Sequence, residues 1–294
     1  MNTQHTLIFG NSMSMEEIPD GSIHLVVTSP PYFNAPFDYQ DLFKSYDQYL
    51  GVLKRVTKES FRVLQNGRIF ALNIDDMLVD GVKYPIVADA IKIFQSAGFR
   101  YRDKIIWKKP DGYLRISKRS GVLLKNPYPM YFYPDNLLEN IIIFQKGKFN
   151  YRSISGDIRK KSIIDTKEFQ EKGWYKTIWE ITNVLPGSPL ERNIAAFPDE
   201  LPRRLITLFS YVGETILDPF LGSGTNMKVA HRLNRNSVGI EIIRDLETTI
   251  RKKIGLEDKS ENGHLRIIMR NSGKYKSVDL EYIQNKISIR REAL

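Results

Sequence analysis

Apolar residues along the chain fall into short continuous runs separated by stretches with helical spacing, and the alternation predicts strands and helices in turn. Leu7-Ile8-Phe9 predicts a short strand ending at Gly10-Asn11-Ser12. Pro19-Asp20-Gly21-Ser22 is a turn, and Ile23-His24-Leu25-Val26-Val27 after it predicts a buried strand. That strand stops at Thr28-Ser29-Pro30-Pro31-Tyr32, because consecutive prolines cannot donate to a sheet and bias the preceding residue away from helix. Between Asp41 and Leu64, Leu42, Tyr46, Tyr49, Leu53, Val56, Val63 and Leu64 mostly share one helical face, and Asn66-Gly67 is expected to stop that helix. Arg68 to Ile74 predicts the next strand, ending in Asp75-Asp76. A helix over Pro85 to Ala97 is stopped by Gly98, and a long strand over Phe99 to Trp107 leads into the turn Lys108 to Gly112. Leu138 to Phe144 supplies a later strand, and residues 147–180 read as polar and irregular. Leu201 to Tyr211 is helical, Thr215-Ile216-Leu217 a strand, and Ser237-Val238-Gly239-Ile240 another that ends in Glu241. A helix then runs to about Ile254. Residues 257–294 are charged, with a helical pattern near Val278–Ile287, and read as a surface-packed extension. Strand and helix in repeated alternation imply an α/β fold with a mainly parallel sheet and right-handed crossovers.

Composition narrows the class. With 294 residues and 41% hydrophobic content the chain can bury a full core, as one α/β domain with an insert. It has no cysteine, which excludes disulfides and cysteine-held metals. Histidines 5, 24, 231 and 264 show no metal spacing, so no metal is expected. No apolar run approaches a membrane span, and the N-terminus lacks a signal-peptide pattern, so the expectation is a cytoplasmic protein with no membrane partner.

The formal charge of +10 favours a polyanion, although charge alone does not separate DNA from RNA. Between Arg100 and Tyr128 nine Lys/Arg stand against two acids, most of the chain's excess, with Tyr101, Trp107, Tyr113 and Tyr128 interleaved. Basic groups neutralise phosphates and aromatic rings stack on exposed bases. Lys108, Lys109, Arg115, Lys118 and Arg119 are the candidate nucleic-acid contacts; a solvated basic face is the competing reading.

Two stretches carry chemistry. Ligands of open α/β sheets sit beyond the carboxyl ends of the strands. At such an end Thr28-Ser29-Pro30-Pro31-Tyr32 offers a hydroxyl, an aromatic face and proline carbonyls with no sheet partner. Those parts suit a flat polar ring with an amino group on its edge; an ordinary proline turn is the plainer alternative. The second stretch is Asp218-Pro219-Phe220-Leu221-Gly222-Ser223-Gly224-Thr225, a glycine turn between strand and helix. Glycines there allow close backbone approach, and Glu241 at the end of the next strand is placed to bond ribose hydroxyls.

Thr28–Tyr32 resembles motif IV of the DNA amino-methyltransferases, and Asp218–Thr225 resembles their motif I, which binds S-adenosyl-L-methionine. Motif IV comes first, an order similar to the β group of that family, over roughly residues 5–255. The resemblance implies a Rossmann-like methyltransferase fold with a mainly parallel seven-stranded sheet, circularly permuted, with an inserted target-recognition region. It divides the chain into a catalytic half (1–109), a target-recognition region (110–185), an S-adenosyl-L-methionine-binding half (186–256) and a C-terminal extension (257–294). It assigns the cofactor to Asp218, Pro219, Phe220, Gly222, Ser223, Gly224, Thr225 and Glu241, and to Phe197 and Pro198 in a segment similar to motif X. Where this chain has Asn11 the family has an acid contacting the cofactor adenine. An amide can serve there, or Asn11 can cap a turn. Asp75-Asp76 either reach the cofactor's methionine end or cap the following turn, and Phe33, Phe37 and Tyr39 either close over a substrate or pack. The implied partners are double-stranded DNA and a companion restriction endonuclease, with monomer and homodimer both open.

The implied reaction is methyl transfer to an exocyclic amine, a poor nucleophile whose lone pair is delocalised into its ring. Ser29, through its hydroxyl, and Pro30, through its carbonyl, would accept from that amine, Pro31 would stiffen the turn, and Tyr32 would stack on a flipped base. A serine without a basic partner is too weak a base to hold the proton, so Ser29 polarises and positions. Relatives with Ser before the prolines mostly act on cytosine N4; adenine N6 is the alternative. An RNA or protein-glutamine methyltransferase would carry motif I upstream, and a non-catalytic nucleic-acid-binding protein would need neither the glycine turn nor Glu241.

Overall fold

The computed structural model describes residues 2–35, 42–110, 121–182, 198–256 and 263–270. In chain order the strands and helices are β1 (Thr3–Phe9), β2 (Ile23–Thr28), α1 (Tyr46–Val63), β3 (Leu64–Ile74), β4 (Met77–Val79), β5 (Val82–Tyr84), α2 (Ile86–Ser96), β6 (Arg100–Lys108), α3 (Gly121–Lys125), β7 (Leu138–Gln145), α4 (Gly156–Lys161), α5 (Thr166–Glu171), β8 (Ile178–Glu180), α6 (Glu200–Phe209), β9 (Thr215–Asp218), α7 (Thr225–Arg232), β10 (Asn236–Glu241), α8 (Glu247–Ile254) and β11 (Gly263–Met269). The main sheet has the order β11-β1-β10-β9-β2-β3-β7-β6-β8. Every neighbouring pair is parallel except the two made by β7, which runs against β3 and β6.

The central strands are apolar on both faces, as parallel strands covered on both sides must be. Alternate residues of β3 show it: Phe70, Leu72 and Ile74 pack in one core, with Phe94 of α2 and Val56 of α1. Ile69 and Ala71 point into the other, with Leu201 and Leu205 of α6 and Trp179 of β8. Phe94 and Phe144 stack at 4.2 Å between ring centroids. A third cluster, against β1, joins Leu246, Ile250 and Ile254 to Leu7 and Phe9.

The sheet has nine strands among the described residues, not seven. The short β8 extends it beyond β6, and β11 extends it beyond β1. β11 lies in the stretch read as a surface-packed extension, where Leu265 and Ile267, on either side of Arg266, pack on the third core. Residues 147–180 are also more regular than their polarity suggests, holding α4, α5 and β8. Asn66-Gly67 does not end α1. The helix stops at Val63 and passes directly into β3, with Lys146 Nζ donating to the terminal carbonyls of Phe61 (2.6 Å) and Leu64 (2.7 Å). Gly67 instead serves a close approach: at φ +86° its built Cβ would lie 2.6 Å from both Lys148 O and Phe149 Cα.

β2 and β9 are neighbours although 190 residues separate Thr28 from Asp218. The sheet therefore brings the proline turn and the glycine turn to adjoining strand ends.

Candidate active site

Asp218, the last residue of β9, joins the two turns. Its Oδ1 accepts from Thr28 Oγ1 at 2.7 Å and from the Phe220 N–H at 3.0 Å. Its Oδ2 accepts from Asn226 Nδ2 at 2.6 Å, and that amide also donates to Val27 O at 2.8 Å. Burial pushes the Asp218 carboxyl up to about 6, opposed by these three donors. Asp218 is thus a structural clasp between β2, β9 and α7. Thr28 and Asn226 complete it, and the sequence reading had assigned neither a role.

The glycine turn follows. Gly222 has φ +57° and is half-buried, and Gly224 at φ +91° opens α7. Pro219, Ser223 and Thr225 are buried and Phe220 is half-buried. The Ser223 hydroxyl is bonded by Lys253 Nζ at 2.6 Å from α8. Glu241 ends β10, one strand from β9. Its Oε2 accepts from the Gly222 N–H and its Oε1 from the Ile243 N–H, both at 2.8 Å. Burial raises this carboxyl to about 7, against the donors of Gly222, Ile243 and Ile242. Three backbone donors leave this carboxylate able to accept a further hydroxyl. A glycine turn at positive φ beside such an acid fits a ribose-bearing cofactor.

Asn11 lies beyond the end of β1, next to β10, where the Gly10 N–H donates to Glu241 O at 2.8 Å. The Asn11 Oδ1 accepts from the Met13 N–H at 2.9 Å, which is the turn-capping arrangement. Arg270, just past β11, holds this loop: it donates to Asn11 O at 2.6 Å and pairs with Glu17 at 2.5 Å. Pro198 is buried and its carbonyl accepts from the Leu201 N–H at the entry to α6. Phe197 lies outside the described residues.

At the other turn Ser29 and Pro31 are half-buried and Pro30 is buried. Tyr32 is buried, and its hydroxyl donates to Glu139 Oε2 at 2.8 Å. Burial and the Glu139 carboxylate raise the Tyr32 phenol well above its usual range. Asn73 Nδ2 donates to the same Glu139 oxygen at 2.6 Å and stands 3.4 Å from Ser29 Oγ. Asn73 was visible in the sequence as a lone amide in an apolar run; Glu139 had no such signal, because its partners depend on the pairing of β7. Phe33 packs, with ring centroids 4.8 Å from Tyr84 and 5.3 Å from Tyr46. Phe37 and Tyr39 lie outside the described residues. Asp76 caps α2 through the Val87 N–H at 2.9 Å, and Asp75 accepts from Asn140 and Asn136.

Of the five candidate nucleic-acid contacts, the two described ones, Lys108 and Lys109, face carboxylates. Lys108 pairs with Glu180 at 3.0 Å, and Lys109 pairs with Glu139, 5.1 Å from the Trp107 ring centroid. Arg115, Lys118 and Arg119 lie outside the described residues. Among the described residues there is no cluster of three or more metal-ligating side chains, and no helix is long and apolar enough to cross a membrane.

Two polar turns at adjoining strand ends of a Rossmann-like sheet are the arrangement of a methyltransferase. Residues 23–252 match the N6_N4_Mtase family model, described as DNA methylase, and the chain belongs to that family. The Type II methyltransferase M.MjaI of Methanocaldococcus jannaschii is 37% identical over 292 residues, spanning 88% of this chain and 94% of that protein. Type II methyltransferase M.MthZI of Methanothermobacter thermautotrophicus is 31% identical, spanning 99% and 89%. Among solved structures, TTHA0409 of Thermus thermophilus, named as a DNA modification methylase and complexed with S-adenosyl-L-methionine, superposes with a TM-score of 0.71 at 27% identity, covering 91% of this chain and 99% of that one. PvuII DNA methyltransferase (cytosine-N4-specific) shares the fold at a TM-score of 0.63 and 17% identity, covering 98% and 93%.

Proposed function

We propose that this DNA methyltransferase moves a methyl group from S-adenosyl-L-methionine to the exocyclic N4 of cytosine in duplex DNA, within a restriction–modification pair. The observation that carries the reading is the Thr28–Asp218 hydrogen bond, which sets the proline turn against the glycine turn. Glu241 and the Gly222 backbone would hold the cofactor's ribose, and Asn11 stands at the adjoining strand end. When bound, the cofactor supplies an electrophilic methyl on sulfur. Ser29 Oγ and the Pro30 carbonyl would accept from the target amine and draw its lone pair out of conjugation. The Tyr32 ring, tethered by its hydroxyl, would stack on the extruded base. The likeness to Type II methyltransferases supports the pairing with a nuclease.

Ser29 before the prolines favours cytosine; adenine N6 is the second reading, because the same turn can serve either amine. Sequencing modified positions in the DNA of cells expressing the chain tests the proposal. N4-methylcytosine at a fixed short sequence is expected, and N6-methyladenine there would replace the first reading by the second.

A further inference from the structure

Glu139 stands near the start of β7, the reversed strand, and its carboxylate gathers donors from three other stretches of chain. Tyr32 Oη and Asn73 Nδ2 converge on Oε2, at 2.8 and 2.6 Å, while Lys109 Nζ pairs with Oε1. Asn73 is itself 4% exposed, and its Oδ1 has no hydrogen-bond partner among the described residues. Buried amide oxygens are normally bonded. Reversing this amide would not relieve it, because Oδ1 would then face a carboxylate oxygen. The same amide's nitrogen also lies 3.4 Å from Ser29 Oγ, so Glu139, Asn73 and Ser29 form one line of contacts.

We propose that Glu139 is a positioning residue for the methyl transfer inferred above, fixing the Tyr32 ring by its hydroxyl and the Asn73 amide by its N–H, and through that amide the Ser29 hydroxyl, so that ring and hydroxyl are held in place for the target base. The inference rests on the methyl-transfer reading. Three features of the site follow from it. The Tyr32 phenol is kept protonated by burial and by the adjacent carboxylate, so it remains a donor. Lys109 compensates a carboxylate in a largely buried place, which accounts for a basic residue facing inward in a stretch otherwise read as a phosphate contact. And Glu139 fixes the proline turn from β7, on the side away from the Asp218 clasp, so the turn is held from both neighbouring stretches of sheet.

The test compares Glu139→Ala, Glu139→Gln and Tyr32→Phe with the wild type in single turnover at saturating duplex and cofactor. Glutamine keeps one carbonyl oxygen that can accept from both Tyr32 and Asn73; alanine keeps none. Glu139→Ala is expected to lose at least about tenfold in rate, with cofactor affinity by calorimetry and duplex affinity by anisotropy nearly unchanged. Glu139→Gln is expected to recover most of the loss. Tyr32→Phe, which keeps the ring and removes the tether, should be slower than wild type and add less than its full effect to Glu139→Ala. A readout needing neither cofactor nor DNA is the ionisation of 3-fluorotyrosine at position 32, followed by fluorine NMR; it should move to lower pH in Glu139→Ala. Rates of Glu139→Ala equal to wild type, or Glu139→Gln as slow as Glu139→Ala, would overturn the inference alone. A wild-type chain that transfers no methyl group to DNA would overturn the methyl-transfer reading and this inference with it.

Discussion

At the scale of single residues, acceptors decide the chemistry. Ser29→Ala removes a hydroxyl and leaves both prolines and the tethered ring. Base and cofactor should still bind, while single-turnover methylation falls on the order of tenfold to a thousandfold, the scale of one transition-state hydrogen bond. Tyr32→Ala should instead impair capture of the extruded base by roughly 1–3 kcal/mol, and a mismatched target, easier to extrude, should partly rescue it but not Ser29→Ala. Rapid-quench rates on matched and mismatched duplexes separate the two. Glu241 carries a pH signature. Its carboxyl is raised from 4.5 to about 7 by burial, so between these values the folded chain binds the extra proton. Its contribution to stability therefore falls as pH rises from 4.5 to about 7 and is level above. Ribose hydroxyls donate to the ionised form, so cofactor affinity should rise as pH rises through about 7. Glu241→Gln should lack both slopes, measured by denaturation and calorimetry. Glu241→Ala should weaken the cofactor by about 1–3 kcal/mol. Gly222→Val is a blunter probe, because a branched residue at φ +57° strains the turn as well as filling the ligand's space.

At the scale of elements, the Thr28–Asp218–Asn226 clasp ties β2, β9 and α7 into one ligand-facing rim. Thr28→Val keeps the shape and removes the hydroxyl, leaving a buried carboxylate short of a donor. It should cost about 1–3 kcal/mol of stability and weaken cofactor binding without touching Ser29, as thermal unfolding and calorimetry would show. The strands that build this rim were legible because each is a continuous apolar run ended by proline, glycine or acid. What escaped has physical reasons. β8 has three residues, too few for a period. β11 is an edge strand whose half-buried alternation is hidden in a charged stretch. The reversal of β7 leaves no mark on an apolar run buried on both faces, and Glu139 acquires its partners only through that reversal. Asp218 was legible as part of the turn, but its burial, which makes it a clasp, depends on β2 arriving beside it from far along the chain.

At the scale of the whole molecule, the order of motifs and the order of strands answer each other. The chain meets the proline turn early and the glycine turn late, yet the sheet sets β2 beside β9. The charge of +10 belongs to this scale as well. Charge reversal at Arg115, Lys118 and Arg119 together should weaken duplex binding and flatten its dependence on salt, leaving cofactor affinity nearly unchanged. An unchanged salt slope in anisotropy titrations would make that stretch a solvated face.

The fate of the methyl group decides which reaction this chain performs. The chain is incubated with duplex DNA and S-adenosyl-L-methionine labelled in the methyl, the DNA is digested to nucleosides, and the products are separated by mass. Label is expected in N4-methyldeoxycytidine, sharply reduced in Ser29→Ala. Label in N6-methyldeoxyadenosine, or no labelled nucleoside from a chain that binds both cofactor and duplex, would rule out methyl transfer to cytosine N4.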